Sequence, residues 1–411
     1  MPHELSAERS QAPDPNNPRL TSPYLMDAVI FGGKYYFLQE PMPGTLHALW
    51  IRITGTELPT GAVVVLAASG CLVALISLLG LIRREFFPAS PEWILWLASI
   101  SFGLSAPQLY LVSKPTVYHE AIAFGLLFVL GGALSYAAAL VHTKRSGVYF
   151  ALCGLMFGLA ALCRLTLILY PLCFIAALFF TSITSPHALF GRWKAGVSLA
   201  LPPVAAVVIL MVYNYMRFGD AFDFGRRHIM YPWYSVYEYV CLQGNAFRLA
   251  HVPENLAAYF LSLPELVWKN SLPWLRFGRE IFSAGSVVMG REQLGSIGLL
   301  MPVLVLLLPF QRLVGPVDWS RPLKTILVAS GLSSLVMFAM FLCYFYAVPR
   351  YLYEFTPLLF VVIFCNLSET WRRMGHAPKA RRAFTIGLVL LILFNSVMGI
   401  YLGLNGMAQL E

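Results

Sequence analysis

Ionisable side chains are scarce in this chain, and they gather at the ends of long apolar runs. Lys114, His119 and Glu120 bracket one short turn, Arg164 interrupts an apolar stretch over 147–183, and Arg350 with Glu354 opens another run. Polar segments add Asp27, Lys34 and Glu40 before the first run, and Arg217, Asp220, Asp223, Arg226 and Arg227 after the sixth. Ionisable groups at membrane depth are costly, so each is by default a candidate site. Several cations facing carboxylates at a membrane surface suit a phosphorylated lipid head, because guanidinium groups hold phosphate oxygens in bidentate geometry. A carboxylate beside them can deprotonate an incoming nucleophile. Together these groups describe group transfer from a phosphorylated lipid.

Each group also has a plainer reading. Arg350 and Glu354 stand four apart, so on a helix they can neutralise each other, a pairing worth only a few tenths of a kcal/mol at a wet surface. Glu120 and His119 can be interfacial residues turned to water. Asp220 and Asp223 precede Arg226 and Arg227, Asp223 by three and four positions, the spacing of a solvated, ion-paired helix face. The aromatics Tyr231, Trp233, Tyr234, Tyr237, Tyr239, Trp268 and Trp274 form either a membrane-interface belt or a sugar-stacking surface.

The elements that must position these groups are membrane spans. Of 411 residues, 58% are hydrophobic and 12% charged, about half the charge of an ordinary soluble domain, which excludes a soluble protein. Hydropathy predicts spans near 59–82, 93–113, 117–141, 147–163, 165–183, 196–216, 296–310, 325–347, 351–366 and 384–404. The stretch 147–183 is divided at Arg164 because one helix of that length would rise about 55 Å, well beyond a hydrocarbon slab of roughly 30 Å.

With that division, the short loops on one side carry Arg83, Arg84, Lys144, Arg145, Arg192, Lys194, Arg312, Arg321, Lys324, Arg372, Arg373, Lys379, Arg381 and Arg382. The short turns on the other side carry only Lys114, Arg164 and Arg350. The positive-inside rule then puts both termini outside. The N-terminal segment would have to cross with no hydrophobic segment before it, so either an additional helix upstream of the sequence is expected, the favoured reading, or residues 23–50 lie along the interface and insert with the first hairpin. The net charge of +9 is accounted for by these clusters between apolar runs, which argues against a nucleic-acid partner. The seven cysteines contain no Cys-x-x-Cys and six of them lie in apolar runs, as small buried hydrophobes. The expected organisation is an extracytoplasmic segment over 1–58, a membrane module over 59–216, an extracytoplasmic loop segment over 217–295 and a second membrane module over 296–411.

Five stretches in order carry a resemblance: GGKYYFLQEPMPG (Gly32 to Gly44), KPTVYHEAIAFG (Lys114 to Gly125), GLMFGLAALCRLTLILYPL (Gly154 to Leu172), NYMRFGDAFDFG (Asn214 to Gly225) and PRYLYEFTPLL (Pro349 to Leu359). Over roughly 23–366 the chain resembles bacterial GT-C-type glycosyltransferase-like membrane proteins, relatives of the protein O-mannosyltransferases and the lipid A aminoarabinose transferases. The resemblance implies an all-α, polytopic helical bundle of about ten spans with a GT-C-like architecture and extracytoplasmic loop segments. It also implies a bacterial inner-membrane location and transfer of a sugar from a polyprenyl-phosphate donor to an extracytoplasmic acceptor.

The residues follow the motifs. An acid of the first outer loop serves as base in that family, and the acid of the second loop helps bind metal or substrate. Glu120, with His119, falls at the second-loop position. The first helix of the family and the acid directly after it would precede Pro23, where only Glu4, Glu8 and Asp14 occur, so Asp27 and Glu40 are the first-loop acids and Asp27 is the expected base. Lys34, Tyr35 and Tyr36 match the first loop, and Arg164 and Arg350 fall at phosphate-facing positions. Arg217, Tyr351 and Glu354 complete the expected substrate-binding set. No cofactor is specified, although the family leaves room for a divalent metal on Glu120 and His119. Two further readings are kept: a transporter or flippase of lipid-linked glycans, whose signature is broken helices with polar groups near midplane, and a catalytically inactive relative that binds a lipid or partner.

Overall fold

The computed structural model describes residues 28–38, 40–180, 186–228, 238–263, 265–269, 272–276, 278–279, 293–294, 296–309, 318–375 and 377–407. A short antiparallel hairpin, β1 (Ala28–Phe31) and β2 (Lys34–Phe37), leads into α1 (Pro41–Thr54). Then come α2 (Thr60–Phe86), α3 (Glu92–Gly103), α4 (Ala106–Ser113), α5 (Val117–Val141), α6 (Ser146–Cys163), α7 (Leu169–Phe180) and α8 (Pro186–Phe218). After a segment with one longer helix, α9 (Val252–Leu261), and a second hairpin (Glu265–Lys269 with Leu272–Arg276), the chain returns through α10 (Arg321–Cys343), α11 (Pro349–Phe355), α12 (Leu359–Arg373) and α13 (Pro378–Met407). The protein is an all-α, multi-pass bundle.

Among the described residues, six helices are long and apolar enough to cross a membrane, and two bent pairs, α3 with α4 at 43° and α11 with α12 at 59°, bring the number to eight. Proline explains both bends: its ring clashes with the carbonyl four residues back and it has no amide to donate, so Pro107 ends the first run at Gly103, and Pro357 lies in the break between Phe355 and Leu359. The total of eight, counted among the described residues, is fewer than the ten expected. The apolar helical stretch Leu165–Phe180 rises only about 24 Å, short of the slab. The run expected over 296–310 is a single turn, Ile297–Leu300, followed by a 3-10 stretch, Pro302–Leu307, because Pro302 supplies no amide to continue the first.

Helix packing uses small residues where backbones approach. A Cβ on Gly154 would lie 2.5 Å from the Leu199 carbonyl oxygen, and one on Gly158 would lie 2.9 Å from that of Pro202. This is a small-xxx-small crossing of α6 against α8, the kind lipid-embedded helices favour. Tyr136, Phe157 and Phe174 fill the centre, with Phe174 ring centroids 4.8 Å from Tyr136 and 4.9 Å from Phe157. Large apolar side chains remain exposed on α2 (Leu66, Val73), α8 (Leu201, Val204, Val208) and α13 (Leu390, Leu393), the faces that lipid covers.

The expected ion-paired helix face over 220–227 does not form. Gly219, at φ 71°, ends α8, and the aspartates cap turns instead. Asp220 Oδ1 accepts the Phe222 N–H at 2.9 Å, Asp223 Oδ1 accepts the Gly225 N–H at 2.8 Å, and Asp223 Oδ2 pairs with His228 Nε2 at 2.8 Å. These are Asx turns, which compete with helix at such positions. Part of the 217–295 segment packs on the bundle: α9 places Asn255 so that its Nδ2 donates to the Leu342 carbonyl at 2.9 Å, capping the end of α10.

Candidate functional site

The site forms where α1, the start of α5, the α6–α7 break and α11 meet. Helix α6 stops at Cys163 because Arg164 is extended (φ −153°, ψ 122°), which turns the next amide and side chains sideways. The Leu165 N–H donates to Glu40 Oε1 at 2.9 Å. Arg164 Nη2 lies 2.9 Å from Glu354 Oε1, and Thr166 Oγ1 donates to Glu354 Oε2 at 3.1 Å. The Tyr170 hydroxyl donates to the Glu354 carbonyl. Glu354 is fully buried, so a partner is required and Arg164 supplies it.

This corrects the local pairing of Arg350 with Glu354. Arg350 stands among rings instead, its guanidinium 5.5 Å from the centre of Tyr118, 5.4 Å from Tyr351 and 5.9 Å from Tyr346. Its Nη2 donates to the Tyr346 hydroxyl at 2.6 Å. Aromatic faces attract a guanidinium by their quadrupole. Arg164 also approaches the Tyr351 ring, at 5.9 Å, so the two arginines share that tyrosine.

Glu120, in the first turn of α5, is buried rather than turned to water. His47 Nε2, on α1, lies 2.9 and 3.0 Å from its two carboxylate oxygens. His119 points elsewhere: its Nδ1 donates to the Lys114 carbonyl, and its ring meets that of Tyr110 edge-on at 5.7 Å. Neighbours on a helix diverge by about 100°, so His119 and Glu120 make separate contacts. Among the described residues no group of three or more His, Cys, Asp or Glu could hold a metal ion.

Arg217 joins the first hairpin to α8. Its Nη1 donates to the Phe37 carbonyl at 2.8 Å and its Nη2 to Asn214 Oδ1 at 2.7 Å, while Tyr36 packs against Phe218 at 5.6 Å. The charge of Glu40 reaches Arg217 as well as Arg164. Lys34 and Tyr35 are exposed on the hairpin, outside this network. Asp27 and the aromatics Tyr231, Trp233, Tyr234 and Tyr237 lie outside the described residues. Burial pushes the Glu40 carboxyl above its ordinary value, and the Leu165 N–H and the Arg164 charge pull it part of the way back.

No protein-family model matches the chain, and no curated protein does. Among solved structures it is similar to the oligosaccharyltransferase of Archaeoglobus fulgidus in the apo form, at 13% identity and a TM-score of 0.47, over 99% of this chain and 51% of that one. It is similar to the archaeal oligosaccharyltransferase AglB of that organism in complex with an inhibitory peptide and a dolichol-phosphate, at 12% identity and a TM-score of 0.48, over 94% and 50%. ArnT from Cupriavidus metallidurans bound to undecaprenyl phosphate aligns at 13% identity and a TM-score of 0.42, over 94% and 69%. The chain spans about half the length of the oligosaccharyltransferases it matches.

Residue patterns alone left out His47, Tyr118 and Tyr346. A signal for His47 was present: it stands seven positions after Glu40, the spacing that places two groups on one helix face. The tyrosines had none, because their role depends on Arg350 turning away from Glu354.

Proposed function

We propose that this chain is a membrane glycosyltransferase that moves a sugar from a polyprenyl-phosphate-linked donor to an acceptor on the extracytoplasmic side of a bacterial inner membrane. One observation carries the reading: Glu40, Glu120, Arg164, Arg350 and Glu354, scattered along the sequence, converge from α1, α5, the α6–α7 break and α11. The five stretches that resemble GT-C-type proteins supply four of these regions. Arg164, held by Glu354, and Arg350, held among tyrosines, would grip the donor phosphate. Their fixed charge would stabilise the phosphate as it leaves the anomeric carbon, the electrostatic contribution that usually dominates such transfers. Glu120 supplies the carboxylate of the proton-accepting site, and Asp27 is the first-loop acid to which the resemblance points.

The test is transfer in proteoliposomes supplied with polyprenyl-phosphate sugars, comparing wild type with Glu120→Gln, Arg164→Ala and Arg350→Ala. Each substitution is expected to abolish or sharply reduce glycan transfer, and unchanged transfer in all three overturns the assignment. A second reading, transport or flipping of a lipid-linked glycan, draws on the bent pairs α3–α4 and α11–α12, since broken helices accompany substrate sites in transporters. Movement of the lipid-linked glycan across the bilayer with no covalent product would favour it.

A further inference from the structure

Glu120 is poorly placed to meet an acceptor itself. Its side chain is 1% exposed, and both oxygens lie within hydrogen-bond distance of a single atom, His47 Nε2. The histidine, 28% exposed, is the member of the pair that solvent or substrate can reach. When ionised, Glu120 accepts hydrogen bonds only, so in that state it keeps the imidazole proton on Nε2. That leaves Nδ1 as the atom with the lone pair. A carboxylate that orients an imidazole and selects its tautomer is a recurring way to prepare a base.

Helix α1 ties this base to the break that carries Arg164. His47 and Glu40 belong to one helix, about two turns apart, and Glu40 is bound to the amide that follows Arg164. Cys163, the residue before Arg164, lies within electrostatic reach of both Glu40 and Glu120. An acceptor held between α1 and the α6–α7 break would meet the imidazole on one side and the donor on the other.

Resting on the transferase reading above, we propose that His47 takes the proton of an acceptor hydroxyl and that Glu120 acts through it as a positioning residue. The acceptor O–H bond breaks and its proton passes to His47 Nδ1. The oxygen electron pair forms the new bond to the anomeric carbon, and the carbon–oxygen bond to the donor phosphate breaks with its pair leaving on the lipid phosphate.

The experiment uses the full chain in nanodiscs with a polyprenyl-phosphate sugar and a hydroxyl acceptor, comparing wild type, His47→Ala, His47→Gln, Glu120→Gln and the His47→Ala/Glu120→Gln double variant. His47→Ala should lower kcat by about 10²- to 10⁴-fold, the usual share of a general base. The donor KM should stay within about twofold and the double variant should be no slower than His47→Ala, because the two residues act as a unit. Added imidazole should restore part of the lost rate to His47→Ala. His47→Gln keeps a donor for Glu120 without a base, so it should fold like wild type and transfer like His47→Ala. If wild type transfers and His47→Gln matches it, the role of His47 fails and the transferase reading stands. If His47→Ala is slow only through a raised donor KM and gains nothing from imidazole, His47 is a packing residue and the proposal is overturned. If wild type binds the donor and makes no product, the transferase reading fails and this role with it.

Discussion

Glu40 Oε1 accepts the Leu165 N–H at 2.9 Å, a contact between residues 125 positions apart that ties the start of α1 to the break between α6 and α7. Burial holds this carboxyl above its ordinary value of 4.5 despite the opposing pull of the amide and of Arg164. A carboxyl whose folded-state pKa is raised contributes stability fully below the unfolded value, and that contribution is lost as pH rises through the folded value. Wild-type thermal stability should therefore fall relative to Glu40→Gln as pH rises upward from about 4.5. Melting followed by intrinsic fluorescence across that range checks it, and a wild-type curve that gains on the variant with rising pH contradicts it.

Arg164 and Glu354 form a pair of which one side chain is 16% exposed and the other is not exposed at all. Removing one partner leaves a buried charge uncompensated, which costs on the order of 3–5 kcal/mol, whereas apolar replacement of both is often tolerated. Arg164→Met and Glu354→Leu should each lower the midpoint of unfolding sharply, and the double variant should recover much of the loss. Additive losses in a denaturant series would show that the two do not depend on each other.

The crossing of α6 on α8 gives a test of the bundle independent of any activity. At Gly154 and Gly158 an added Cβ meets backbone oxygens, which cannot rotate aside. Gly154→Val should cost at least the roughly 1–3 kcal/mol of overpacking, while the same change at Gly147, where nothing lies within 4 Å, should cost little. Thermal unfolding in detergent distinguishes them.

Arg350 lies near three tyrosine rings. A lysine is a compact point charge that neither stacks flat on rings nor grips a phosphate with two parallel hydrogen bonds. Arg350→Lys should therefore weaken donor binding by about tenfold, and Arg350→Ala by more. Titration with a polyprenyl phosphate, followed by tryptophan fluorescence, measures both, and equal affinity of the Lys variant and wild type would remove the proposed phosphate-gripping role.

Local features of the sequence proved readable. The division at Arg164 is present as an extended residue between two helices, because a run too long for the bilayer with a cation in its middle has few other ways to lie. The all-α, multi-pass class follows from apolar runs of about 20 residues. The stretch expected as a span over 296–310 differs for a local reason as well: hydropathy counts a proline-led stretch such as 302–307 as apolar without registering that it lacks the amide a helix needs. The site was legible in its members rather than in its pairings. Glu40, Glu120, Arg164, Arg350 and Glu354 were all visible as ionic groups at the ends of apolar runs, but the partner that helical spacing suggests for Glu354 was not the one used.

Composition and the order of apolar runs by themselves determined that this chain is a membrane-embedded helical protein with its chemistry-bearing groups at the helix ends. Only the tertiary structure decided which of those groups meet. Glu354 takes Arg164 from a distant break instead of Arg350 on its own helix, and Glu120 takes His47 from 73 positions away. The reason is physical: hydropathy sets the depth of a helix in the bilayer, whereas its rotation about its own axis is set by packing, such as the seating of Gly154 and Gly158 on α8. That rotation selects which side chains face one another.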